Sequence, residues 1–469
     1  MQTIFVSISM LGVFRNLFFF SESFFFRLKR EAEKRNIRIV VLLHNRDLSK
    51  YEPFLAPHIG ERVVVEGVVV PTDKNFFQKA FRFFYAYLVY TTTTKILTTM
   101  GMRPEEPPAA SRRVLAPLRV LIAKIFGWSI FIKNTLVPRA YCMFFPARPF
   151  RALFEKYNPA LVVAPNVYGL FDTELAREAR KQGVYSVGML ANWDHVDKYF
   201  LPIKTDEILL PSEQVKLAAA KYQGYQPEKI SVIGYPYHDL FVRDEFKMTR
   251  GALLSEIGLL LGARYILYVS GSSYCPDEPE VIEEMLRWIH AGDFGPDTYL
   301  VIRPYIGGRG KDKAFDEKKF FGFKNDSRVV FFDERVWDSL PKSITYINIM
   351  RYASVVMTVY STAFLESAIM DRPLVAASFD GRQARPLYRS IRRFEGFEHF
   401  KSMIETGAVR RTLNFKELKA ALRAYMDNPA LDAEKREAVR RELCFKLDGE
   451  SSGRVVSAVL DALNKIKHV

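Results

Sequence analysis

Ala353–Gly381 reads ASVVMTVYSTAFLESAIMDRPLVAASFDG, and the order of its residue types decides the fold. Val355–Thr358 is an apolar run short enough for a buried parallel strand. Tyr360, Ser361 and Thr362 make a short polar turn. A helix is expected over Ala363–Met370, Arg372-Pro373 ends it, and Leu374–Ala377 is the next strand. In an open α/β sheet, ligands bind outside the carboxyl ends of the strands. A helix opening there offers free amides and partial positive charge to an anion. Ser361 and Thr362 can add hydroxyl donors, and Glu366, one turn on, can accept both hydroxyls of a ribose. The same residues also suit a purely local role, with a Ser361 or Thr362 N-cap and Glu366 a solvated first-turn acid.

The same rhythm extends outward on both sides. Upstream come strand Arg264–Val269, helix Glu278–His290, strands Thr298–Ile302 and Arg328–Phe332, and helix Ile344–Tyr352. Before Gly234–Asp244, which reads as a linker, lies another βα series. It comprises strand Thr3–Ser9, a loop at Gly12–Asn16, helix Leu17–Lys34, and strands Ile37–Leu43 and Arg62–Val70. After residue 145 it continues through Phe150–Tyr157, Leu161–Ala164, Asp172–Gln182, Tyr185–Leu190, Asp206–Leu210, Glu213–Gln223 and Ile230–Ile233. Residues 415–469 read as helices. Two successive blocks of alternating strands and helices predict two parallel-sheet α/β domains.

The 469 residues suit two domains of comparable size. A net charge of +15 favours anionic partners such as nucleotide diphosphates or lipid headgroups. The basic residues are dispersed and no finger or RNA-binding signature occurs, which argues against nucleic acid. Three cysteines at unrelated spacings (Cys142, Cys275, Cys444) argue for a reducing compartment. No signal peptide or spanning helix is expected. The seven histidines are scattered with no carboxylate cluster, so neither a metal nor a cofactor is expected.

Other strand exits add candidates. Ser270, Gly271 and Ser272 leave a strand and permit close approach of a phosphate, or form an ordinary turn. Gly12, Arg15 and Asn16 stand at the counterpart exit in the first half, where they would line an acceptor or diphosphate loop. In MLANWDHVDK (Met189–Lys198), Asp194 and His195 can supply a base for an acceptor hydroxyl; alternatively Trp193 packs and Asp194 caps a helix.

Ala353–Gly381 resembles the donor-site signature of the GT-B glycosyltransferase superfamily. The nearest arm contains CDP-glycerol glycerophosphotransferases and surface-carbohydrate proteins. Ser361-Thr362, Arg372-Pro373 and Phe379-Asp380 carry the likeness, and LDGESSGRV (Leu447–Val455) is similar to the closing motif of that arm. The resemblance implies two Rossmann-like doubly wound domains facing a cleft. It assigns 1–240 to an acceptor domain, 241–449 to a nucleotide-donor domain and 450–469 to a C-terminal helix crossing back. It implies metal-independent transfer of a sugar from a UDP- or CDP-type donor to a cell-envelope polysaccharide or lipid-linked acceptor. Arg303, at the end of YLVIR, would clamp the diphosphate. In the family it resembles, that arginine is usually followed by a histidine one or two residues on; here Pro304-Tyr305 stands instead. The basic loop Gly307–Lys313 can fold over phosphates or lie in solvent. GYPYHDLF (Gly234–Phe241) resembles the hinge of the superfamily, with His238 and Asp239 as interdomain hydrogen-bonding residues. A polyol-phosphate transferase, a nonhydrolysing epimerase and an inactive scaffold are the alternatives.

Residues 75–145 are a helical aromatic and basic insert in the N-terminal domain, with helices expected over Phe76–Thr99 and Arg112–Val137. Lys79, Arg82, Lys95, Arg112, Arg113, Arg119, Lys124 and Lys133, with Trp128 as anchor, suit an anionic bilayer interface. The alternative is that these helices complete a core or an oligomer contact. The expected location is cytoplasmic, with the inner face of the cell membrane as the surface the insert would reach.

Overall fold

The computed structural model describes residues 1–72, 75–100, 103–104, 114–192, 196–307, 311–335 and 339–467. They form two compact units: Met1–Tyr90, Pro117–Asp239 and Leu443–Val469 in one, Thr91–Ala116 and Leu240–Glu442 in the other.

The first unit holds seven strands: β1 (Gln2–Ile8), β2 (Ile37–His44), β3 (Val63–Val68), β4 (Leu161–Ala164), β5 (Tyr185–Met189), β6 (Glu207–Leu210) and β7 (Ile230–Val232). All pair in parallel, in the order β3-β2-β1-β4-β5-β6-β7. β1, β2 and β4 are nearly continuous apolar runs because helices cover both faces of the sheet. Phe5, Val40, Leu42, Phe150, Val162 and Phe171 share one core cluster. Helix Ser451–Lys467 packs against helix Phe24–Arg35 and against β4 and β5.

The loop expected at Gly12–Asn16 is instead a helix, Leu11–Phe18. Val13, Phe14, Leu17 and Phe18 are buried, and Phe14 meets Tyr51 and Phe54 at centroid distances of 4.9 and 4.8 Å. Tertiary burial thus overrides the weak helix preference of a glycine near the start. The helix ends at Phe18, and residues 19–23 form turns before the second helix, Phe24–Arg35, begins.

The aromatic insert also divides differently. Among the described residues its helices are Phe76–Ala86, Thr92–Thr99, Ala116–Phe126 and a π-turn at Ile132–Leu136 running into Val137–Phe144. Tyr85, Leu88, Ile122, Val137 and Tyr141 build a core cluster with Phe200 and Ile203. Thr91–Ala116 belongs to the second unit, where Thr93 Oγ1 accepts the Glu398 N–H at 2.9 Å.

The second unit holds β8 (Arg264–Val269), β9 (Thr298–Arg303), β10 (Val329–Phe331), β11 (Val355–Thr358), β12 (Leu374–Ala377) and β13 (Val409–Thr412). They too are all parallel, in the order β10-β9-β8-β11-β12-β13. Helices Glu278–His290 and Phe415–Asp427 supply Ile282, Met285, Trp288, Leu418 and Tyr425 to a core under Tyr268, Ile302 and Met357. The strand order reverses between β8 and β11. That switch point is where an open sheet leaves a crevice at its carboxyl edge.

Candidate functional site

Register brings the predicted donor residues of the second unit to one edge. Arg303 pairs with Val269, and Val269 with Thr358, so three adjacent strands end level. The Thr358 hydroxyl donates to the Val269 carbonyl at 2.6 Å, and the Ser270 N–H donates to the Arg303 carbonyl at 3.0 Å. Ser270 Oγ then accepts the Tyr305 N–H at 2.9 Å. At Gly271 an added Cβ would lie 2.7 Å from Val359 and closer still to Cys275, so only glycine lets these exits approach.

The turn before helix Ala363–Ile369 spends many of its polar groups internally. Ser361 Oγ accepts the Ala363 N–H at 3.3 Å and lies 3.1 Å from Thr358 Oγ1. The Thr358 proton is committed to Val269, so the Ser361 hydroxyl is the donor in that pair. Phe364, Leu365 and Glu366 direct their amides to Ser361 and Thr362 carbonyls. Among the described residues this leaves the Ser361 and Thr362 amides without an intramolecular acceptor. The Thr362 hydroxyl is the exposed one. An anion at this turn would therefore meet Thr362 and two amides, while Ser361 shapes the turn.

A residue not singled out from the sequence ties Arg303 to Glu366. Tyr346, on helix Leu340–Tyr352, donates its hydroxyl to Glu366 Oε2 at 2.7 Å. The Arg303 guanidinium sits over the same ring, 4.6 Å from its centroid. Arg303, Tyr346 and Glu366 are all buried. The cation–π contact holds the guanidinium and the hydrogen bond holds the carboxylate, so a cation and an acceptor are both fixed on one tyrosine. A tyrosine in mid-helix carries no local signal for this role.

Beside them, Ser272 Oγ donates to both oxygens of Asp316 at 3.0 and 2.9 Å. The Gly271 N–H donates to Glu278 Oε1 at 3.0 Å, and Lys319 donates to the Gly271 and Ser272 carbonyls at 3.1 Å each while pairing with Glu278. Burial pushes the Asp316 carboxyl up to about 6, against the opposing pull of Ser272 and Lys319. The Ser270–Ser272 loop is thus a braced turn whose hydroxyls are already engaged. Next to it a cavity of about 270 Å³ is lined by Tyr305, Phe320, Phe321, Phe331, Asp333 and Arg335, among others.

In the first unit, Gly12, Arg15 and Asn16 follow β1 at the other switch point. The Arg15 guanidinium lies 3.7 Å from the Tyr237 centroid, and Asn16 Nδ2 donates to the Ala191 carbonyl and to Tyr235 Oη, each at 3.0 Å. Both side chains are buried. His238 is pushed down to about 3 by burial and then by Arg15. Asp239 accepts the Ser451 and Ser452 N–H groups at 3.0 and 2.8 Å, so the hinge-like motif caps helix Ser451–Lys467 within its own unit. Asp194 and His195 lie outside the described residues, as do residues 308–310 of the basic loop. Among the described residues no three His, Cys, Asp or Glu side chains converge as for a metal ion, and no helix is long and apolar enough to cross a membrane.

Residues 324–461 match the family model of CDP-glycerol:poly(glycerophosphate) glycerophosphotransferase. Solved structures match nearly the whole chain. A putative UDP-N-acetylglucosamine 2-epimerase from Listeria monocytogenes aligns at 14% identity over 99% of this chain and 97% of its own, TM-score 0.54. A glycosyltransferase from Rickettsia africae aligns at 11% identity over 99% and 98%, TM-score 0.50. The wall teichoic acid polymerase TagF aligns at 12% identity over 99% and 89%, TM-score 0.50. The chain has the GT-B fold. Curated proteins give no sequence match. Within this GT-B frame, Tyr346, Ser361, Thr362 and Glu366 fall inside the family-matched segment, whereas Arg303 and Ser270–Ser272 precede it.

Proposed function

We propose that this protein is a glycosyltransferase that moves a sugar from a nucleotide-diphosphate donor to a cell-envelope polysaccharide or lipid-linked acceptor. The observation that carries the reading is the Arg303–Tyr346–Glu366 constellation at the β8/β11 switch point. In it Arg303 faces the diphosphate, the Ser361 and Thr362 amides with the Thr362 hydroxyl take its other oxygens, and Glu366 accepts from the ribose. The aromatic-lined cavity beyond Tyr305 suits a flat nucleobase. The buried, oriented charges stabilise the leaving diphosphate without reorganising. Ser270, Gly271 and Ser272 support this edge from behind. Asp194 or His195 serves as the base for the acceptor hydroxyl, and Arg15, Gly12 and Asn16 belong to the acceptor side. A lipid-linked acceptor, in place of a polysaccharide, would bring the enzyme to the inner membrane face.

The family match favours a second reading, transfer of a polyol phosphate from a CDP-type donor. The Pro304-Tyr305 sequence, where relatives carry a histidine, weighs against it. Thermal-shift titration with UDP, CDP and GDP, followed by product analysis with UDP-sugars and CDP-glycerol, tests both. A raised melting temperature with one nucleotide, lost in Glu366→Ala, is expected. No shift with any nucleotide would overturn the donor site.

A further inference from the structure

The aromatic insert leaves part of its apolar surface uncovered. On helix Ala116–Phe126 only Arg119 and Ile122 are buried. Leu118, Leu121 and Ile125 share one helical stripe and are exposed. Trp128 in the turn that follows, and Ile130 and Phe131 at the start of the next helix, add to it at 77%, 65% and 60% exposure. Isolated exposed apolar residues are ordinary, but seven within fourteen positions of one helical hairpin, Phe126 among them, mark an interaction surface. The geometry is built rather than frayed. Gly127 packs so closely against the Leu88 carbonyl that a Cβ there would lie 2.6 Å from it, and Phe126 meets Phe84 at a centroid distance of 5.5 Å.

The charges around it are of one sign. From Asn75 to Phe154 the only acids are Glu105 and Glu106. Lys79, Lys124 and Arg139 are exposed and, among the described residues, belong to no ion pair. Lys133 does not contribute, because it is buried and donates to the Tyr222 carbonyl at 2.8 Å. A second copy of this chain would set these cations against their own kind across a two-fold contact. An anionic bilayer matches both the apolar stripe and the basic rim.

We infer that the hairpin Ala116–Phe131 docks the protein onto anionic lipid, with Trp128, Ile130 and Phe131 entering the interface and Lys79, Lys124 and Arg139 meeting headgroups. This stands independently of the donor-site reading. The test is co-sedimentation of the full chain with vesicles of phosphatidylcholine alone or with phosphatidylglycerol. Binding is expected only with phosphatidylglycerol and should weaken as salt rises. The variant Trp128→Ser/Ile130→Ser/Phe131→Ser should bind ~tenfold or more weakly, by loss of apolar burial. Lys79→Glu/Lys124→Glu/Arg139→Glu should lose the lipid preference while its nucleotide-induced melting shift is unchanged. A blue shift of tryptophan fluorescence on adding these vesicles should vanish in Trp128→Phe. Equal binding by the serine variant, no binding to either vesicle, or a dimer in light scattering that the serine variant dissolves would overturn the inference.

Discussion

Helices Ala363–Ile369 and Ala116–Phe126 are both rich in apolar residues, yet they use them in opposite ways. Every residue of the first is buried, Glu366 included, whereas the second hides only Arg119 and Ile122. The first lies between two buried strands and must fill space, so its one acid is trapped where a partner such as Tyr346 has to be supplied. The second has core on one side alone. Apolar composition therefore does not say where a helix is; its neighbours do.

Substitutions can separate the two cases, starting with the core of the buried helix. Phe364→Ala should cost about 3–5 kcal/mol in chemical unfolding, as expected for a buried aromatic removed from a packed core. A small loss would mean that this helix is as loosely held as its counterpart. Arg303→Ala should weaken nucleotide binding ~10- to 100-fold in calorimetry by removing charge-assisted hydrogen bonds. His238 extends the test to a buried polar group. Its folded value of about 3 lies below the ordinary 6.5, so the unfolded chain takes up the proton first as pH falls. The stability that neutral His238 provides is present above pH 6.5 and is lost from there down to about 3. His238→Asn should flatten the slope of unfolding free energy against pH in that window by about 1 kcal/mol per pH unit, read by chemical unfolding at several pH values. Tyr346→Phe, which keeps the ring under Arg303 but removes the hydroxyl donated to Glu366, should lower nucleotide affinity ~3- to 10-fold and stability by about 1–3 kcal/mol. Leu121→Ser should change stability by less than about 0.5 kcal/mol. A larger loss would show that the exposed stripe is covered in solution.

The same contrast explains what could be read without coordinates. Leu161–Ala164, Arg264–Val269, Val355–Thr358 and Leu374–Ala377 appear with the boundaries expected, because short apolar runs between breakers have little alternative to a buried parallel strand. Val409–Thr412 was not anticipated: it is an edge strand whose two middle residues are arginines, so it lacks the apolar run. Helix Leu11–Phe18 was missed because its stability comes from Tyr51 and Phe54, remote in sequence. At the site, Arg303, Ser361 and Glu366 were legible as residues at strand exits or in the helix turn beyond one. The division of labour was not. Nothing local shows that the Ser361 hydroxyl turns inward to Thr358 while that of Thr362 stays exposed, nor that a tyrosine twenty positions upstream holds Glu366.

The Asp239 cap on helix Ser451–Lys467 has a bearing on biogenesis. The unit that β1 begins includes Leu443–Val469, so it is completed only by a segment that lies beyond the whole of the second unit in the chain. Until that closing helix emerges, the surface of helix Phe24–Arg35 that it covers stays bare, and the nascent chain carries an open flank while the residues between the two helices are made.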